Sequence, residues 1–117
     1  MHLVNFFSEK KSFQITKKKK IRLLVKEICK NEGYGLSFLN YIFCTDRYLL
    51  EINQKYLSHN NLTDVITFDF SEKKNTAEGD LYISVERVEE NSKKYKVLFA
   101  KELIRVIIHG LLHLVGY

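Results

Sequence analysis

The sequence comprises 117 residues, 45% of them apolar and 28% charged, which fits one globular domain and excludes a disordered tail or a fibrous chain. A net charge of +5 points to a polyanionic partner such as nucleic acid or an acidic membrane surface. Cys29 and Cys44 form neither a disulfide framework nor a CxxC motif and read as reduced core thiols. The first residues lack the order of a signal peptide, and the most apolar segment, residues 106–115, is too short to span a bilayer. A soluble cytoplasmic protein is therefore expected, with no membrane partner.

Residues 3–7 form a short apolar run and predict a first strand. Thr16 precedes a segment in which Ile21, Leu24, Val25 and Ile28 keep the i, i+3, i+4, i+7 spacing of an amphipathic helix, capped by Thr16 and ending near Gly33. The run Lys17, Lys18, Lys19 and Lys20 opposes the dipole at the start of that helix. A solvated lysine face explains such a run, and a phosphate-binding patch is the functional alternative, which makes these lysines candidate substrate contacts. Residues 36–44, LSFLNYIFC, carry apolar groups on both faces and predict a central strand. Thr45 and Asp46 cap a helix over residues 46–57, and a loop rich in Ser, Asn and Asp follows. DVITFDF then alternates as a strand, with Ile66, Phe68 and Phe70 on one face. A polar excursion, SEKKNTAEG, leads to a short strand at residues 81–84, and Ser84 can cap the helix VERVEENSKKYK, whose early glutamates and late lysines suit the dipole.

The organising stretch is residues 100–117, AKELIRVIIHGLLHLVGY. A helix so apolar is expected to be buried all round, which would place His109 and His113 in a dry environment. At i and i+4 their Cβ atoms lie roughly 5 to 6 Å apart on one face, so both rings can address one ion at Zn–N distances of about 2.0 to 2.1 Å. The plainer alternative is a pair of core histidines bonded to carbonyls. Gly110 between them admits a close neighbour, and Gly116 marks a C-terminal cap. Strands and helices alternate without repeat or linker. The expected fold is α+β, a single domain over residues 1–117 with a mixed sheet of about four strands packed on helices and a buried central C-terminal helix carrying HxxxH.

LTDVITF at residues 62–68, GDLYIS at 79–84, the following ERVEEN, and HGLLHLVGY at 109–117 resemble, in order and spacing, the YbeY family of bacterial endoribonucleases. The likeness runs from Asn53 onward, while the first fifty residues match only in the order of their expected elements. The resemblance implies a metal-dependent endoribonuclease that cuts single-stranded RNA, matures small-subunit ribosomal RNA and acts in ribosome quality control. Its implied partners are ribosomal RNA and the small ribosomal subunit, with no DNA. It also implies one Zn2+ per chain, held by an H-x3-H-x5-H pattern of which His109 and His113 are the first two members. The third position falls two residues beyond Tyr117, so the domain is expected to be C-terminally incomplete and this form weak in zinc binding and activity. No side chain is assigned as catalytic, the proposed nucleophile being a zinc-bound water. Thr63 and Asp64 match positions that line the cleft in the family, although both are also ordinary turn residues. The family commonly carries an arginine where this chain has Leu57, and His59 in the same loop is a possible substitute ligand or cation.

Two other classes compete with that reading. A metallopeptidase of the H-E-x-x-H type needs a glutamate after the first histidine, and Gly110 stands there. A non-catalytic RNA- or ribosome-binding assembly factor, with a weak or structural metal site, is favoured by Leu57 and by a histidine set of two.

Overall fold

The computed structural model describes residues 2–57 and 63–117. Along the chain run β1 (Val4–Ser8), α1 (Lys18–Asn31), β2 (Gly35–Cys44), α2 (Asp46–Leu57), β3 (Val65–Asp69), β4 (Thr76–Ser84), α3 (Val85–Tyr95) and α4 (Phe99–Leu114). The strands form one sheet in the order β1-β2-β4-β3, with β1 and β4 parallel to β2 and β3 antiparallel to β4. This is the α+β architecture with a four-stranded mixed sheet that the element order predicts.

The two faces of the sheet carry different cores because strand side chains alternate. Leu39, Tyr41 and Phe43 of β2, with Leu81 and Ile83 of β4, point to the face covered by α1, α3 and α4. There they meet Val25, Val88, Val106, Ile107 and Leu111. Cys44, Ile66, Phe68 and Tyr82 point the other way, where Leu49 and Ile52 of α2 cover them. At about 1.5 to 3 kcal/mol per fully buried large apolar side chain, the first and larger cluster supplies most of the hydrophobic stabilisation. Thus α4 is anchored on the thicker side of the molecule. Both cysteines are buried and free, as expected of core thiols.

Two helix starts follow the predicted caps. The Tyr48 N–H donates to Thr45 Oγ1 at 3.1 Å, and the Arg87 N–H donates to Ser84 Oγ at 3.1 Å. The buried Ser84 hydroxyl in turn donates to Asp46 Oδ1 at 2.7 Å, while Arg87 Nη2 donates to Asp46 Oδ2 at 2.9 Å, tying the starts of α2 and α3 together. α1 departs from expectation. It begins at Lys18, and Lys17, not Thr16, is the cap residue, with φ 55° and no side-chain bond. Phe13 and Ile15 tuck against the core, Phe13 packing on Phe43 and Phe99, so the chain reaches the helix from an inward path and turns at Lys17.

β4 is also longer than its apolar stretch, because residues 76–79 of the supposed excursion are strand. They pair with residues 35–39 of β2. Ala77 and Gly79 are buried while Glu78 and Asp80 face outward, an alternation their polar character conceals. Cross-strand polar pairs complete it: Ser37 Oγ donates to Glu78 Oε1 at 2.7 Å and Asn40 Nδ2 to Asp80 Oδ1 at 3.1 Å.

Candidate functional site

α4 is not buried all round. Its inner side packs on the sheet, whereas Lys101, Arg105, His109 and His113 are all exposed. The expectation of a dry environment for the two histidines is therefore corrected. They recur with Lys101 and Arg105 at every fourth residue, which places the polar side chains on one ridge and the apolar ones elsewhere. Count alone made the helix look uniformly apolar.

Gly110 sets the approach of this helix to the sheet. A Cβ there would lie 3.0 Å from Leu81 Cδ2 and from Val65 Cγ2, so the missing side chain lets the backbone settle against β3 and β4. The close neighbour expected beside this glycine is thus present. The histidines flank it on one side of the helix. At the far end the Tyr117 N–H donates to the Leu112 carbonyl at 2.9 Å and the Gly116 N–H to the His113 carbonyl at 3.4 Å. Gly116 has φ 102°, so a Schellman turn ends α4 one turn past the second imidazole.

The two Nε2 atoms face each other at 3.1 Å, with ring planes near perpendicular and centroids 4.6 Å apart. Two ligands at tetrahedral corners with Zn–N bonds of about 2.05 Å lie about 3.3 Å from one another. The separation of the pair is close to that edge. As a hydrogen bond the contact needs one Nε2 to donate and the other to accept, the roles following the tautomer of each ring. Among the described residues, no third His, Cys, Asp or Glu joins them in a metal-sized group. His59 lies outside the described residues.

One turn before His109, Arg105 is clasped by Glu102: Nε donates to Oε1 at 2.9 Å and Nη2 to Oε2 at 2.7 Å, a bidentate pair. The same Nη2 lies 3.5 Å from Asp64 Oδ2. Glu102 is only 2% exposed, and the hydrogen bonds from Arg105 hold its carboxyl below the usual range despite burial. Asp64 is fixed from the other side as well, since its carbonyl accepts the Ser84 N–H at 3.0 Å. Asp64 is thereby held beside the histidine-bearing helix. Thr63 precedes it, with Oγ1 3.5 Å from the Val65 carbonyl.

Lys17, Lys18, Lys19 and Lys20 are exposed at the start of α1. Lys17 lines a recess with Lys101 of α4, so the lysine run adjoins the opposite end of the histidine helix. Sequence reasoning passed over Lys101, Glu102 and Arg105. The signal for two of them was present, because Lys101 and Arg105 continue the four-residue spacing of the histidines backward.

A family model described as endoribonuclease YbeY matches residues 4–117. Endoribonuclease YbeY of Cytophaga hutchinsonii is 46% identical over 96% of this chain and 78% of its own length. The protein of the same name from Flavobacterium psychrophilum is 54% identical over 80% of this chain and 66% of its own length. The solution structure of a Thermotoga maritima protein superposes with a TM-score of 0.61 at 33% identity, covering 97% of this chain and 73% of that one.

Proposed function

Because the chain belongs to the YbeY endoribonuclease family, we propose that it is a zinc-dependent endoribonuclease cutting single-stranded RNA, with His109 and His113 as two ligands of one Zn2+. The observation that carries the reading is the convergence of their Nε2 atoms, 3.1 Å apart, on the open side of a helix. When bound, zinc supplies a Lewis acid that polarises a phosphoryl oxygen and makes water acidic near neutral pH. To serve as ligands both rings would be neutral with Nε2 unprotonated and the ring proton on Nδ1. Family pattern puts a third ligand two positions beyond Tyr117, and His59 is the reserve within the chain.

The remaining residues bind and orient. Asp64, held by Arg105 and by Ser84, borders the histidine ridge from the start of β3, and Thr63 stands next to it. Arg105 stands one turn before His109, where its guanidinium, shared by Glu102 and Asp64, offers a planar set of donors. Lys17 to Lys20 add a cationic patch for the RNA backbone. The proposed substrate is ribosomal RNA of the small subunit, processed in the cytoplasm during maturation and quality control. Family membership and the net charge of +5 support that assignment.

A second reading, a non-catalytic RNA-binding assembly factor, draws on the two-membered ligand set among the described residues. The two readings separate on a labelled single-stranded RNA, using this chain and one carrying a histidine two positions beyond Tyr117. Cleavage that stops with chelator, returns with zinc and is lost in His109→Ala and His113→Ala supports the enzyme. RNA binding without cleavage by either chain supports the assembly factor.

A further inference from the structure

Resting on the ribonuclease reading of the histidine pair, we infer that the exposed ridge of α4 is the track along which the RNA backbone reaches it, with Tyr95 receiving a base. Lys101, Arg105, His109 and His113 are exposed at every fourth position. At 1.5 Å per residue, successive members stand about 6 Å apart along the axis and the ridge runs about 18 Å. Two cations thus precede two imidazoles in line. A strand of phosphates laid along the ridge meets the Lys101 charge and then the guanidinium donors of Arg105 before it arrives at the histidines.

Two carboxylates offset the charge of Arg105, so the net positive charge of the path comes from its lysines. Glu102 is buried and committed to Arg105, and Asp64 is held at 3.5 Å from the same guanidinium. The contacts of Arg105 among the described residues use Nε and Nη2, so Nη1 is left for an anion. Lys101 has no ion pair among the described residues.

Two recesses flank the cations and give the path a direction. Tyr95, Val97, Lys101, Glu102 and Arg105 line one of about 410 Å³, and Tyr95 is 54% exposed. An exposed aromatic beside two cations is the pairing that single-strand binders use, one stacking a base and the others holding its phosphates. Lys94 Nζ lies over the Tyr95 ring at 5.7 Å and adds charge at the same place. Lys101 also borders the second recess, of about 360 Å³, together with Lys17. The lysine run of α1 and the histidines of α4 thereby become two ends of one path through Lys101 and Arg105. The occupant is single-stranded, because a base paired within a duplex cannot turn its face to Tyr95.

Binding of a fluorescein-labelled single-stranded oligoribonucleotide, measured in chelator between about 50 and 200 mM salt, tests the path without requiring catalysis. Lys101→Gln and Lys17→Gln are each expected to reduce the slope of log affinity against log salt by about 0.7, the single-strand value per phosphate contact. Tyr95→Ala should weaken binding about 5- to 100-fold with the slope kept. Arg47→Gln removes an exposed charge from α2, on the other side of the sheet, and should leave the slope unchanged. Parental slopes in Lys101→Gln and Lys17→Gln, tighter binding of duplex RNA than single-stranded RNA, or competition by an acidic peptide but not by RNA would each overturn the path. Zinc-dependent cleavage with unaltered slopes defeats the path and leaves the ribonuclease standing. Reduced slopes with cleavage indifferent to His109→Ala uphold the path and defeat the ribonuclease reading.

Discussion

Replacing Glu102 by glutamine isolates the ionic part of the clasp that holds Arg105 beside the histidines. The side chain keeps its shape and one acceptor oxygen but loses the charge that receives Nε at 2.9 Å and Nη2 at 2.7 Å. Breaking a fully buried ion pair costs about 3 to 5 kcal/mol, whereas exposed pairs are worth about 0 to 1 kcal/mol. Glu102 is 2% exposed and the Arg105 side chain 50%, so water screens one partner only. The expected loss is about 2 kcal/mol, or about 8 °C in Tm for a domain of this size. Its pH dependence is fixed by sign. The hydrogen bonds from Arg105 hold the Glu102 carboxyl below its unfolded value, so the stabilisation is fully present above the ordinary glutamate pKa and disappears as pH falls through the depressed one. Urea unfolding of parent and Glu102→Gln across about pH 3 to 7 should show a constant gap above about pH 5 that closes toward the acid end. A gap below about 0.5 kcal/mol at neutral pH, or one unchanged at the acid end, refutes the reasoning.

Gly110→Ala sets a helix-propensity gain of about 1 kcal/mol against overpacking of about 1 to 3 kcal/mol, since the new Cβ would stand 3.0 Å from Leu81 and Val65 side chains. A net loss of about 1 kcal/mol in chemical denaturation is expected, and a gain would show slack between α4 and the sheet. Tyr41→Phe should leave stability unchanged or raise it by about 1 kcal/mol, because the buried hydroxyl has no hydrogen-bond partner among the described residues. A loss above about 1 kcal/mol would reveal a partner for it.

How much of this was legible depended on whether the signal was local. The histidine pair, Gly110 and Gly116 are spacing signals within one helix, and each appears in the structure where its spacing puts it. Thr45 and Ser84 were equally readable, since a cap needs only the neighbouring turn. The start of β4 was not, because residues 76–79 become strand through pairing with β2, a partner about forty residues away whose register their polar side chains conceal. Lys17 replaced Thr16 at the start of α1 for a similar reason, as Phe13 and Ile15 are drawn into a core built from distant strands. The exposure of His109 and His113 was hidden by a different fault. The apolar content of the whole helix masks the phase of Lys101, Arg105, His109 and His113, which marks a solvent-facing ridge.

Zinc titration by calorimetry on the 117-residue chain and on one carrying a histidine two positions beyond Tyr117 bears most directly on the metal site, with His113→Ala and His59→Ala made in each. The account predicts weak binding to the shorter chain and tight binding of one ion to the longer, lost in His113→Ala, since a stable site with an open position needs three protein ligands. Equal affinity of the two chains, or indifference of the longer one to His113→Ala, would contradict it. Loss of binding in His59→Ala as well as in His113→Ala would identify His59 as the substitute ligand.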